Sequence, residues 1–168
     1  VDGEEASRFY TISSPDVEET FELTIGIDPD GDVSPHLRDL EVGDAVTLSG
    51  PYGNAYYEDE DHVLILAGGP GIGAAIGIAE RALADGGEAA VVYRDETPIH
   101  EARLDGLADR ATIRVLNADE SLDPAVEATL ADDQQVFVYG FADFLDDAIT
   151  ALEAAGGRPD AAKVENFG

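Results

Sequence analysis

The sequence predicts a β + α/β chain: an antiparallel β segment over residues 1–60, then an α/β domain over residues 61–168 built on a five-stranded parallel sheet. Three observations carry this. Short runs rich in aromatic and β-branched residues, cut by Gly and Pro, fill the first third. From His62 onward, apolar runs alternate with stripes at helical spacing. The acidic stretch Glu58-Asp59-Glu60-Asp61 stands between the two patterns and marks the expected boundary.

In the first part, Arg8-Phe9-Tyr10-Thr11-Ile12-Ser13 has strand composition, and Thr20–Ile25 alternates apolar and polar residues as a half-buried strand does. Asp28-Pro29-Asp30-Gly31-Asp32 is dense in turn formers. Ser34-Pro35 predicts a helix start, with Ser34 as cap and Pro35 at the first helical position. A third strand is expected at Ala45–Ser49, stopped by Gly50-Pro51-Tyr52-Gly53. In the second part, strands are expected at Val63–Ala67, Ala89–Tyr93, Ala111–Leu116, Val136–Tyr139 and Ala162–Val164. Ile72, Ile76, Ala79 and Leu83 form one helical stripe, and Phe144, Leu145, Ala148, Ile149 and Leu152 another. Strand–helix alternation implies βαβ units, a sheet covered on both faces, and ligands at the carboxyl ends of the strands.

Composition narrows the chemistry. The 168 residues carry 37 Asp plus Glu against 9 Lys plus Arg, a net charge of -28. Nucleic-acid binding is excluded for want of a basic stripe, and an anionic membrane surface would repel the chain. No apolar run is long enough for a membrane span and no signal peptide is visible, so a cytoplasmic location is expected. The acids are dispersed, which suggests adaptation to very high salt, where a Debye length of about 3 Å at 1 M screens self-repulsion. Cysteine is absent, so thiolate metal sites, disulfides and iron–sulfur clusters held by this chain are excluded, and the three histidines show no ligand spacing. No metal site is expected. Methionine is absent even at position 1, which predicts a processed chain or a fragment.

The strongest local signal is Gly68-Gly69-Pro70-Gly71-Ile72-Gly73, which follows an apolar run and opens a helical stripe. Glycines there let backbone approach a pyrophosphate, and a helix N-terminus supplies free N–H groups. No Walker A lysine follows. The second signal is Arg8-x-Tyr10-Thr11, in which strand alternation places a guanidinium and a phenol on one face, with a hydroxyl beside them.

Taken in order, Arg8-x-Tyr10-Thr11, Gly31-x-x-Ser34, Gly50-Pro51-x-Gly53, Gly68-Gly69-x-Gly71-Ile72-Gly73 and the terminal Glu165-Asn166-Phe167-Gly168 resemble the ferredoxin–NADP reductase family over essentially the whole chain. The resemblance implies a small antiparallel flavin-binding β barrel followed by the nucleotide-binding domain, with hydride passing from NADH or NADPH to FAD. By position, it implies that Arg8 and Ser34 bind the flavin pyrophosphate, that Tyr10 packs on the flavin ring, and that the Thr11 hydroxyl reaches the hydride-accepting nitrogen. Gly69, Gly71, Ile72 and Gly73 match the turn under the nicotinamide-nucleotide pyrophosphate. Glu165 and Phe167 match residues beside the flavin. The implied acceptor is a redox protein or domain, with ferredoxin or flavodoxin as the family suggestion.

Three departures from the family pattern qualify this. The family's Cys-Gly-Pro reads Tyr139-Gly140-Phe141, so the thiol is gone. After the third strand of the α/β domain, Asn117-Ala118-Asp119-Glu120 replaces the Ser-Arg of NADPH-specific members, which leans toward NADH and leaves Arg94 as the remaining phosphate partner. Only seven residues precede Arg8, which predicts that the barrel is partial here and that its first strands are missing. Two other readings stand beside the reductase: a non-catalytic nucleotide-binding regulatory or electron-transfer subunit of a larger redox complex, and a siderophore-reductase relative.

Overall fold

The computed structural model describes residues 7–168, so the first six residues of the expected β segment lie outside the described residues. The α/β part contains β1 (His62–Gly68), β2 (Glu88–Arg94), β3 (Thr112–Leu116), β4 (Gln135–Gly140) and β5 (Lys163–Asn166), each within two residues of an expected run. All pairings are parallel and the order is β3-β2-β1-β4-β5. The helices are α1 (Ser34–Arg38), α2 (Ile72–Ala84), α3 (Glu101–Leu107), α4 (Asp123–Thr129) and α5 (Ala142–Ala154).

The apolar runs become central strands because both sheet faces are covered. On β1, Val63, Ile65 and Ala67 face a layer built from α2 and α3, where Ile72, Ile76, Leu104 and Leu107 pack. Leu64 and Leu66 face the other layer, with Val126 of α4 and Phe144, Ala148 and Leu152 of α5. A strand with side-chain period two, buried on both sides, needs an unbroken apolar run. Each such side chain contributes about 1.5–3 kcal/mol by leaving water.

The strand order reverses between β1 and β4, where successive connections leave toward opposite faces. Such a switch point opens a crevice at the carboxyl ends of the two strands. Here those ends are Gly68, leading into a 3-10 turn at Gly69–Gly71, and Gly140, followed by Phe141 and α5.

The first part departs from the expected strands. Arg8–Ser13 and Thr20–Ile25 meet at one antiparallel bridge, Ile12 with Leu23, closed by Ser13 N–H donating to the Glu22 carbonyl at 2.8 Å. Ala45–Ser49 forms no ladder among the described residues. Strand composition favours an extended backbone, but a ladder needs a neighbour, and a two-stranded ribbon is marginal alone. Many apolar side chains here stay exposed, among them Phe9, Val42 and Leu48. The segment is instead tied to the sheet. The Tyr139 hydroxyl donates to the Ala55 carbonyl. The Lys163 ammonium donates to Glu58 at 2.8 Å, Glu60 at 2.6 Å and the Tyr56 carbonyl at 2.8 Å.

One capping expectation changes. Ser34 is the first residue of α1 and Val33 takes the cap position, with no side-chain cap bond. The Ser34 hydroxyl accepts from Asp28 N–H at 3.0 Å and donates to the Asp28 carbonyl at 3.3 Å. The dense turn at Asp28–Asp32 captures the hydroxyl that the helix would otherwise use.

Candidate functional site

The principal cavity, about 330 Å³, lies where the first part meets the switch-point crevice. Arg8, Tyr10, Thr11 and Ser34 line it from the first part, and Pro70, Phe141 and Phe167 from the α/β part. Its size falls at the lower end of the ~300–1,000 Å³ of ligand sites. Residues separated by more than a hundred positions thus face one space, because β4 and β5 deliver their carboxyl ends to the same edge as the turn after β1.

At one end, the Arg8 guanidinium contacts Asp32 at 3.4 Å, with both side chains more than half exposed. A long, exposed pair of this kind is worth about 0–1 kcal/mol. The other arm of Arg8 donates to the Ser7 carbonyl at 2.8 Å. Further in, the Thr11 hydroxyl donates to Glu165 Oε1 at 2.8 Å, joining two residues 154 positions apart. Phe167 stands beside Glu165 on the last strand's exit, edge-on to Phe141 with centroids 6.1 Å apart. Phe141 is half exposed at the cavity mouth.

The glycine-rich turn divides into two duties. Gly69 has φ 56°, and the atom nearest to an added Cβ is Asp95 Oδ2 at 4.0 Å, so the space above it is open. Gly71 has no such room: a Cβ there would strike the Tyr139 carbonyl of β4. Gly73 packs under Ser13 and Thr24, whose hydroxyls a Cβ would strike. Ile72 is fully buried in the core, and the N–H groups where the turn passes into α2 donate to the Gly69 and Pro70 carbonyls. No side chain caps α2 and no acid sits in its first turn.

Tyr139, which stands where the family has its thiol, is a packing residue. It is buried between Phe137 and Phe167, and burial, with Glu165 and Glu60 nearby, raises its phenol pKa. Arg94 sits away from the cavity. Its guanidinium donates to Asp147 at 2.6 Å and lies 5.3 Å above the Phe144 ring, with only 15% of the side chain exposed. At the end of β3, Asn117 donates to Glu120 Oε2 from its backbone and its side-chain nitrogen, both at 2.7 Å. These bonds, the backbone one first, lower the Glu120 pKa.

Among the described residues, no three His, Asp or Glu side chains gather as a metal site, and no helix is long and apolar enough to cross a membrane. Pro70, Thr24 and Phe141 also line the cavity and had not been singled out from sequence. Phe141 carried a signal, since it directly follows Gly140 at a strand end.

Comparison with known proteins supports what this geometry suggests. Residues 1–57 match the family model for the oxidoreductase FAD-binding domain. The chain is 43% identical over 76 residues to a glycine betaine monooxygenase reductase subunit of Chromohalobacter salexigens, covering 43% of this chain and 21% of that protein. It is 37% identical over 76 residues to NADH-cytochrome b5 reductase 1 of Candida glabrata, covering 43% of this chain and 27% of that protein. The chain thus matches well under a third of the length of these relatives. A crystal structure of an Amycolatopsis cytochrome P450 reductase superposes with a TM-score of 0.83 at 21% identity, over 99% of this chain and 58% of that one. The described residues share the fold of that structure.

The described part of the FAD-binding domain fits its cofactor in chemical kind. Arg8 is the cationic fork that suits a diphosphate, in a wall that also carries Asp28, Asp30 and Asp32, and the aromatic walls with the Thr11 hydroxyl suit a flat, polar-edged ring.

Proposed function

We propose that this chain acts as an NAD(P)H-dependent FAD reductase, taking hydride from a nicotinamide nucleotide and passing electrons to a separate redox acceptor. The observation that carries the reading is the cavity lined jointly by Arg8, Tyr10 and Thr11 from the FAD-binding part and by Phe141 and Phe167 from the switch point. Bound FAD supplies the hydride-accepting ring and the passage from two-electron to one-electron chemistry.

The residues of the chain align and insulate. Arg8 binds diphosphate oxygens, with Ser34 lining the wall near them. Tyr10 packs against the ring. Thr11 presents its hydroxyl oxygen to the ring edge, and Glu165, which accepts a hydrogen bond from Thr11 at 2.8 Å, fixes the orientation of that hydroxyl. Phe167 and Phe141 keep water from the reacting face. The open space over Gly69, at the turn that leads into the positive end of α2, receives the phosphates of the nicotinamide nucleotide. Gly71 serves that turn by letting it sit against β4.

NADH is the favoured donor. The Arg94 charge is taken up by Asp147, and Glu120, kept ionised by Asn117, stands with Asp119 where a 2′-phosphate would be repelled. The acceptor is a ferredoxin, a flavodoxin or, as the names of the two relatives suggest, a cytochrome or oxygenase component. Anaerobic addition of NADH and of NADPH to FAD-loaded protein in multi-molar salt tests the reading. Rapid bleaching of the flavin by NADH, and slower bleaching by NADPH, is expected. Nucleotide binding without retained flavin would favour the non-catalytic subunit instead.

A further inference from the structure

The two parts meet at a second place, where α3 and α2 grip the bridged hairpin around Ser13 and Leu23. Arg103 on α3 is the centre of this contact. Its Nε donates to Glu80 Oε1 at 3.0 Å and its Nη2 to Glu80 Oε2 at 2.7 Å, a two-point grip on α2. The same guanidinium reaches the hairpin twice, Nη1 donating to Glu22 Oε1 at 2.6 Å and Nη2 to the Ser13 carbonyl at 3.1 Å. Only 26% of its side chain is exposed, so this network is screened less than a more exposed pair such as Arg38 with Asp39.

One turn back, His100 opens α3 with φ 59°, and its Nε2 lies 2.9 Å from Thr24 Oγ1. Thr24 Oγ1 in turn accepts from the buried Ser13 hydroxyl at 2.8 Å. On α2, Gly73, Gly77 and Glu80 share one face by helical spacing. The first two let the hairpin settle on the helix backbone: a Cβ at Gly77 would come within 2.9 Å of the Ser13 carbonyl. The gripped residues are short steps from the chemistry. Ser13 is two positions beyond Thr11, and Thr24 itself lines the cavity.

We propose that Arg103 is a positioning residue for hydride transfer: by clasping the Ser13–Glu22 bridge to α2, it fixes Thr11 opposite Glu165 and sets the spacing of the two parts across the cleft. This rests on the reductase reading above for its consequence, but not for its geometry. Arg103 touches neither the cavity nor the glycine turn.

Because the chain has no cysteine, a single pair of spin labels can be introduced cleanly at exposed Val42→Cys and Glu153→Cys, one on each part. Dipolar distance distributions then report the relation of the parts without flavin or nucleotide. The unsubstituted background should give one narrow distribution. Arg103→Gln should broaden it or add a second distance, and Arg103→Lys should recover part of the narrowing. Glu22→Gln, which leaves the Glu80 grip intact, should broaden it less, and it decides the matter should Arg103→Gln fail to fold. An unchanged distribution in Arg103→Gln, or in Glu22→Gln where only that variant folds, overturns the proposal. In turnover, Arg103→Gln should lower kcat about tenfold or more while leaving KM for NADH and FAD retention near their original values, since misplacement by ~1 Å can cost up to roughly 10²-fold. Equal loss in kcat with Arg103→Lys, or loss of FAD itself, would contradict it. If labelled distances behave as expected and no NADH oxidation occurs in any variant, the reductase reading fails and the clasp stands.

Discussion

The α/β part and the FAD-binding part of this chain are stabilised in different ways. In the first, every residue of β1 from Val63 to Ala67 is fully buried, and two layers of helices close the sheet. In the second, Phe9 is 87% exposed and the described hairpin is held by one bridge. The α/β part carries its own core. The FAD-binding part takes its position from what it touches: Lys163, Tyr139 and the Arg103 clasp on one side. A cavity between two such parts depends on their contacts as much as on its own lining.

The largest effect that would sharpen this contrast is a core truncation. Phe137→Ala on β4 should cost about 3–5 kcal/mol of unfolding free energy, whereas Phe9→Ala should stay within about 0.5 kcal/mol. Denaturant melts at matched salt measure both, and comparable losses would erase the distinction. Gly71→Val comes next. It should destabilise the α/β part by about 1–3 kcal/mol through the clash with the Tyr139 carbonyl. Weakened nucleotide binding at unchanged stability would instead assign that glycine to the ligand alone. Arg8→Ala should leave the melting midpoint in place while weakening FAD retention by about 1.5–3 kcal/mol, or roughly 10- to 100-fold. Flavin content after desalting reads this directly.

How far these contrasts were legible in the sequence differs by region. The central strands β1, β2 and β4 showed as apolar runs because both their faces are buried, whereas the edge strands β3 and β5 keep exposed positions and showed more weakly. The turn after β1 showed by its glycines, but not why Gly71 and Gly73 must be glycine: the Tyr139 carbonyl and the Ser13 and Thr24 hydroxyls are tertiary neighbours with no local trace. The Thr11–Glu165 pair was legible only through the family pattern, since 154 residues separate its members. Arg103 had no signal, because one cation on an amphipathic helix reads as solvated until its partners are placed. In the FAD-binding part, strand composition predicted strands where the described residues form only the Ile12–Leu23 bridge, because pairing depends on neighbours that composition does not specify.

The smallest expected effect is on pH dependence. The His62 imidazole lies 2.6 Å from Asp133, and that hydrogen bond, then the carboxylate's charge, raises its pKa above the usual 6.5. A raised folded-state value means that the contribution is present below the unfolded pKa and is lost as pH rises through the folded one. The stability difference between the original chain and His62→Gln should therefore shrink as pH rises from about 5 to about 8. A constant difference would show that the pair carries no charge.

The central claim is that a flavin ring rests against Tyr10 in the cavity between the two parts. Titration of the cysteine-free chain with FAD in multi-molar salt, followed by flavin fluorescence, tests it most directly. Saturation at one FAD per chain with quenched emission, the quenching relieved in Tyr10→Leu, is the predicted result. Emission that tracks free FAD throughout the titration would contradict it.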